Sequence, residues 1–332
     1  MTTLLASKQT LAHSTIHLIK PSDTYIYIAR RMCKMNNYSR DELATHQWMA
    51  ATAELDNLKL TELTLPGTHN AGCDREASYP LIPGKNWLAC QDVSFYSQLN
   101  RGARALDLRL VYDDKGRGFE KFRFQHDNYR SSRHLGDLVR DIKAFFERSP
   151  NEFIILDFHE LASGDSAFNH AEFKQLMLTH LGARLIPENH RHLTLGQLKD
   201  ISPLQRLLLA APLPWNVRDD HFHKQISHQW IGESLVSASD LQAYITEVLS
   251  DPPGQWQLWS LSATAYHGLY GPLRILQELD GWFDPATSDW AKKCNIINFD
   301  FIKNSDIVHF CRLANLQKAE AKTPLVLTAR AV

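Results

Sequence analysis

The sequence predicts an α/β fold, an irregular (β/α)8 barrel forming one domain behind an N-terminal extension. Three observations predict it. Runs of β-like composition alternate with amphipathic runs, the order imposed by parallel strands and crossover helices. The β-like runs number eight, enough to close a barrel. In several of them polar and apolar residues alternate with period two, which sends polar groups to one face while the other packs under helices.

Residues 1–43 lack sustained periodicity, although Tyr25-Ile-Tyr-Ile28 reads as a short strand beside Arg30 and Arg31; they form the extension, and residues 44–332 form the domain. The expected strands are Leu58–Leu65, Ala103–Leu110, Phe122–His126, Phe153–His159, Arg206–Ala211, Gln229–Ile231, Trp256–Ser262 and Asn295–Ile302. The early connections read as loops, whereas Ala171–Leu181, Ser239–Leu249 and Leu273–Leu279 read as helices, so the barrel is expected to be irregular. The clearest helix is His134–Ser149. Leu135, Leu138, Val139, Ile142, Phe145 and Phe146 recur there at helical spacing, and Pro150 marks the stop.

The chain has 332 residues, of which 44% are hydrophobic, enough for a substantial core. A net charge of -1 provides no clustered positive field, which excludes sequence-independent nucleic-acid binding. The five cysteines, Cys33, Cys73, Cys90, Cys294 and Cys311, have neither zinc-site spacing nor the density of a disulfide scaffold and read as mostly reduced core thiols. Cys73 and Cys90 flank one loop and could bridge in an exported protein. No secretory signal is evident and no segment has the length of a membrane span, so the expectation is peripheral membrane action after cytoplasmic synthesis, or non-classical export. The sequence sets no oligomeric state.

Chemistry-bearing residues sit where strands should end. The run Leu65-Pro-Gly-Thr-His-Asn-Ala-Gly72 delivers His69 between glycines that permit tight turns and close approach. In Ala103–Leu110, Asp107 and Arg109 share one face and the leucines the other. His126 closes Phe122–His126, and Asp300 shares a face with Asn298 in the last strand. Asp157 and His159 alternate likewise with Ile154, Leu156 and Phe158. Together they outline an acid/base site with a fixed cation. The same residues admit plainer readings: strand-end histidines held by hydrogen bonds, an Asp107–Arg109 salt bridge that only joins strands, and an Asp300 that satisfies a backbone amide.

Several ordered motifs carry a resemblance: Pro66-Gly-Thr-His-Asn-Ala-Gly72, Trp87-Leu-Ala-Cys-Gln91, Phe95-Tyr-Ser-Gln-Leu-Asn-Arg-Gly-Ala-Arg104, Leu106-Asp-Leu-Arg109, His126 and Glu152-Phe-Ile-Ile-Leu-Asp157. With them the chain resembles the phosphatidylinositol-specific phospholipase C X-domain family, and its bacterial metal-independent branch most closely. The match covers roughly Trp48–His159 and resumes at Asn295–Ile302. The resemblance implies a TIM-type barrel as the catalytic domain and cleavage of the glycerol-phosphate bond of a phospholipid at a membrane surface. It implies that His69 is the base that takes the proton of the inositol 2-hydroxyl, and His126 the acid that protonates the departing diacylglycerol oxygen. Asp300 would orient His69, Arg109 would hold the phosphoryl oxygen, and Asp107 would fix Arg109 or support the acid. The product would be a cyclic inositol phosphate.

Metal and cofactor are expected to be absent. The eukaryotic branch holds calcium with acidic side chains, whereas Arg109 and His159 occupy two of the matched places beside Asn70 and Asp107, and a guanidinium repels a dication. Asn70 stands where the bacterial branch usually has Asp. Asn70, His159 and Glu160 are the candidates for contacting the head group, whose identity the sequence leaves open. Trp87, in the apolar loop Tyr79–Leu88, is expected to dip into the lipid while Lys85 meets phosphates, or else to fold onto the barrel top. Two other readings remain: a metal-dependent glycerophosphodiesterase or sphingolipid phosphodiesterase of related barrel fold, and a catalytically weak lipid-binding X-domain module.

Overall fold

The computed structural model of the chain describes residues 44–322; the extension expected over residues 1–43, with its Tyr25–Ile28 strand, lies outside the described residues. The domain is built on eight parallel strands in chain order: β1 (Leu65–Thr68), β2 (Ala105–Tyr112), β3 (Ile154–Ala162), β4 (Leu207–Ala210), β5 (Phe222–His223), β6 (Ser227–Gln229), β7 (Trp259–Ala263) and β8 (Ile296–Phe299). Each pairs with its chain neighbour except β5 with β6, and β1 also pairs with β8. The sheet therefore curls on itself and is open between β5 and β6 among the described residues. It is the irregular barrel that the alternation predicts.

Two expected strands differ. Residues 58–64 are turn rather than strand, although Leu58, Leu60 and Leu63 are buried as core. The Asn295 side chain donates to the carbonyls of Leu60 and Leu63, satisfying backbone that a ladder would otherwise serve. Phe122–His126 is a strand but not a barrel stave. It runs antiparallel to β2 and forms a hairpin with Tyr129–His134. The link from Tyr112 to Phe122 is too short for a parallel crossover, which takes about a dozen residues or more. The short β5 takes its place in the barrel.

Helices cover the sheet, including Leu135–Arg148, His170–Leu181, Ala238–Ser250 and Ile307–Lys322. Leu135–Arg148 matches its expected span. The His134 ring accepts from the Gly136 N–H, Asp137 accepts from the His134 N–H, and all six periodic apolar side chains are buried. Arg104, on the leucine face of β2, is also wholly buried. Its guanidinium donates to Glu152 and to the carbonyls of Leu99, Ala103, Thr45 and His46. Cys73, Cys90, Cys294 and Cys311 are buried free thiols, so the Cys73–Cys90 bridge is not formed. No described helix is long and apolar enough to cross a membrane.

Candidate active site

The strands leave a cavity of about 590 Å³ at the end of the barrel where β1 and β8 finish, lined by His69, Trp87, Arg109, His126, His159 and His228 among others. His69 follows β1 and Asp300 follows β8. The two strands pair through Thr68 and Phe299, so the residues after them emerge side by side. His69 Nδ1 lies 2.8 Å from Asp300 Oδ1. A carboxylate there accepts, which places the hydrogen on Nδ1 and leaves Nε2 with a lone pair when the ring is neutral. Beside them, a Cβ on Gly67 would stand 2.7 Å from an Ile296 methyl, so only glycine permits this approach of β1 to β8.

His126 reaches the same cavity from the hairpin. Its turn residues Asp127 and Asn128 both have positive φ, a conformation that Asp and Asn tolerate better than most side chains. The ring Nδ1 donates to the Leu88 carbonyl at 2.9 Å, which leaves Nε2, 3.8 Å from Asp127 Oδ2, as the other ring nitrogen. The His69 and His126 rings are perpendicular, with centroids 6.1 Å apart. Burial lowers the His126 pKa from its ordinary value, and the neighbouring His69 and Arg109 push the same way.

Arg109 faces the cavity braced by Asp107, with Nη2 3.0 Å and Nε 3.3 Å from its carboxylate oxygens. Asp107 also accepts from the Asn298 side chain and the Asn70 N–H. Burial alone would raise the Asp107 carboxyl, but Arg109 outweighs it and holds the group well below the usual carboxylate range. Burial opposes the charge of Arg109 too, and Asp107 more than restores it. The result is a fixed cation pointing into the cavity.

On the far wall, sequence reasoning named Asp157 and His159 and missed His228. His228 Nε2 lies 2.6 Å from Asp157 Oδ2, and the His159 ring stacks on His228 at 3.8 Å. Burial raises Asp157, and Asp157 raises His228 against the effect of burial, so His228 keeps its proton to higher pH than an ordinary imidazole. Burial holds His159 down to about 4. The signal for His228 was present, since it alternates inward in β6, but the expected strand began one residue later at Gln229.

Other candidate contacts fall differently. Glu160 is exposed and outside the cavity lining. A bulge pairs Leu108 with Phe158 but Arg109 with Glu160, so His159 is the extra residue and the strand's alternation is broken there. Asn70, at φ 44°, is fully buried, and neither of its side-chain polar atoms has a hydrogen-bond partner. Trp87 lines the cavity but is not the tip of its loop. Its Nε1 donates to the Gly268 carbonyl at 2.8 Å and its ring meets Tyr266 edge to face, while Leu81 and Ile82 are 93% and 82% exposed.

Two groups of described residues have metal-ligand geometry: His69, Cys90 and Asp300 within the site, and Asp113, Asp114 and Asp165 outside it. In the second, Arg130 pairs with Asp113 and Lys115 with Asp165, which offsets part of its charge. For calcium, the matched oxygen donors reduce to Asn70 and Asp107, and Asp107 is committed to Arg109. This donor set does not fit a dication.

No protein-family model matches the chain. It is 26% identical over 314 residues to mouse PI-PLC X domain-containing protein 2, a match spanning 81% of this chain and 86% of that one. It is 34% identical over 104 residues to the variant-surface-glycoprotein phospholipase C of Trypanosoma cruzi, spanning 31% of this chain and 26% of that one. Among solved structures, the phosphatidylinositol-specific phospholipase C of Listeria monocytogenes superposes with a TM-score of 0.61 at 17% identity, over 82% of this chain and 99% of the other. The resemblance to the phospholipase C X-domain family is thus borne out, and the fold is that of the bacterial enzymes.

Proposed function

We propose that the chain is a phosphodiester-cleaving phospholipase C-type enzyme acting on phosphatidylinositol-like lipids at a membrane surface. The observation that carries this reading is the perpendicular pair His69 and His126 facing one cavity with Arg109. An inositol 2-hydroxyl beside the scissile phosphodiester attacks within its own molecule, so much of the entropy cost is already met. What remains is one base, one acid and a cation.

In this reading His69 Nε2 takes the hydroxyl proton as the oxygen bonds to phosphorus, and Asp300 stabilises the imidazolium that forms. Arg109 holds the phosphoryl oxygens, and Asp107 keeps its guanidinium in place. The bond from phosphorus to the glycerol oxygen breaks as His126 Nε2 delivers its proton to that oxygen. The products are diacylglycerol and a cyclic inositol phosphate. The anionic phosphate also supports the acid: His126 is held low in the free site, and a negative charge nearby favours its protonated form.

Lipid access fits the rim. Loop Tyr79–Leu88 and the 266–272 hairpin lock together at Trp87. The Tyr266 hydroxyl donates to the Trp87 carbonyl, and Gly271 packs so closely that a Cβ would lie 2.7 Å from Trp87 Cα. Leu81, Ile82, Leu269 and Tyr270 are exposed apolar groups on these two loops, whose Trp87 and Tyr266 line the cavity, and are suited to a bilayer interface. The test is phosphatidylinositol vesicles with chelator, followed by phosphorus NMR. A cyclic phosphate signal is the expected result. Turnover only with added metal would favour a metal-dependent phosphodiesterase, and vesicle binding without turnover a lipid-binding module; either overturns the proposal.

A further inference from the structure

We propose that Gln91 is a positioning residue that fixes His69 and Asp300 relative to each other, within a short segment, Leu88–Gln91, that also aims His126. The proposal rests on the reading of the two histidines as base and acid. Gln91 is fully buried. Its Nε2 donates to the backbone carbonyls of His69 at 3.0 Å and Phe299 at 2.9 Å, and its Oε1 accepts the Ile302 N–H at 3.2 Å. These groups bracket the two chain segments that carry His69 and Asp300.

The need for such a bracket follows from where the ladder stops. The β1–β8 register ends at Thr68 and Phe299, with one further bond from the His69 N–H to the Phe299 carbonyl. Asn70 and Phe301 then take positive φ, turning both chains away immediately after the reacting residues. Beyond that point the exits are joined by the His69–Asp300 pair itself and by Gln91. The same segment continues the bracket. The Cys90 carbonyl accepts from the Phe301 N–H at 2.9 Å, and the Leu88 carbonyl holds His126 Nδ1.

The carboxamide is the group this place requires. Two carbonyls need donors and one N–H needs an acceptor, which a single amide supplies. Methionine fills similar volume but takes the partner from the His69 carbonyl and the Ile302 N–H and leaves the Phe299 carbonyl only the His69 N–H, and a glutamate carboxylate sets charge against two carbonyl oxygens. A shift of about 1 Å between reacting groups costs about a hundredfold in rate.

The experiment compares Gln91→Met and Gln91→Glu with the wild type by vesicle kinetics, thermal unfolding, and proton NMR of the His69 Nδ1–H without substrate. Both variants are expected to fold, with kcat down about tenfold to a hundredfold and KM within about twofold. The His69 resonance should move. Gln91→Glu should recover activity relative to wild type as pH falls and its side chain regains a donor, whereas Gln91→Met should not. Wild-type kcat with an unmoved resonance, a loss of stability alone, or failure of both variants to fold would overturn the proposal. If the wild type turns over no phosphatidylinositol, the proposed function fails, while the NMR comparison still decides the role of Gln91.

Discussion

His69 and His126 face each other at right angles, 6.1 Å between ring centroids, from two strands that pair with the same edge of β2, β1 at its start and Phe122–His126 at its end. Each ring has its Nδ1 engaged, one by Asp300 and the other by the Leu88 carbonyl, so both present Nε2 for chemistry. His69→Gln and His126→Gln should each lower kcat by about 10²–10⁴ with circular dichroism unchanged. On the proposed mechanism the two act in one proton relay, so the double variant should lose little more than the worse single variant, as steady-state kinetics on vesicles would show.

The acid should titrate differently with and without an anion. Burial and the charges of His69 and Arg109 lower the His126 pKa in the free protein, so its proton is lost as pH rises through a value below the ordinary one. A bound phosphate opposes this and should raise the pKa. Titration of the His126 ring proton by NMR, with and without inorganic phosphate, should give the higher midpoint in phosphate; equal midpoints would remove the anion from this site.

Arg109 leads to a prediction about metal. Its guanidinium and Asp107 together fill the place where a dication would need oxygen donors. Chelator should leave vesicle turnover unchanged and added calcium should not raise it. Arg109→Lys keeps the charge but loses the two-point contact with Asp107, and kcat should fall about a hundredfold.

The rim predicts a separation of binding from chemistry. Leu81→Ser with Ile82→Ser removes two exposed apolar side chains that no described contact requires. At about 1 kcal/mol or more for each, vesicle partitioning should weaken by about tenfold or more while turnover of a soluble substrate is kept. Trp87→Ala should instead reduce both, because the Trp87 ring joins the two loops through its bond to the Gly268 carbonyl and its packing on Tyr266. Sedimentation with vesicles and a soluble-substrate assay distinguish the cases.

Away from the cavity, Glu152 neutralises the fully buried Arg104 and accepts the N–H groups of Met49 and Ala50. Glu152→Ala leaves that guanidinium buried without its partner and should cost about 3–5 kcal/mol of stability. Chemical denaturation measures the loss, and kcat per folded molecule should not change.

Much of the site was legible along the chain. Asp107 and Arg109 were placed inward by the alternation of a single strand, and His69 was expected at a strand's end and follows β1, although Pro66 and Gly67 lie within that strand rather than ending it. The helix Leu135–Arg148 was legible for the same reason, since its six apolar residues fall on one face by backbone geometry alone. Where local regularity broke, the reading failed. Glu160, one residue past His159, lies outside the cavity lining, and the brevity of the 113–121 link turned an expected stave into a hairpin.

The sequence by itself determined which residue types stand at the strand ends and which faces they take, because side-chain direction follows a period fixed over a few residues. Tertiary structure alone decided their partners. Asp300 meets His69 across 231 residues, Gln91 reaches both their segments, and Asp157 finds His228 across the barrel. Those meetings depend on which strands become neighbours and on the register at which they pair, quantities set by packing the whole sheet and written in no local stretch of chain.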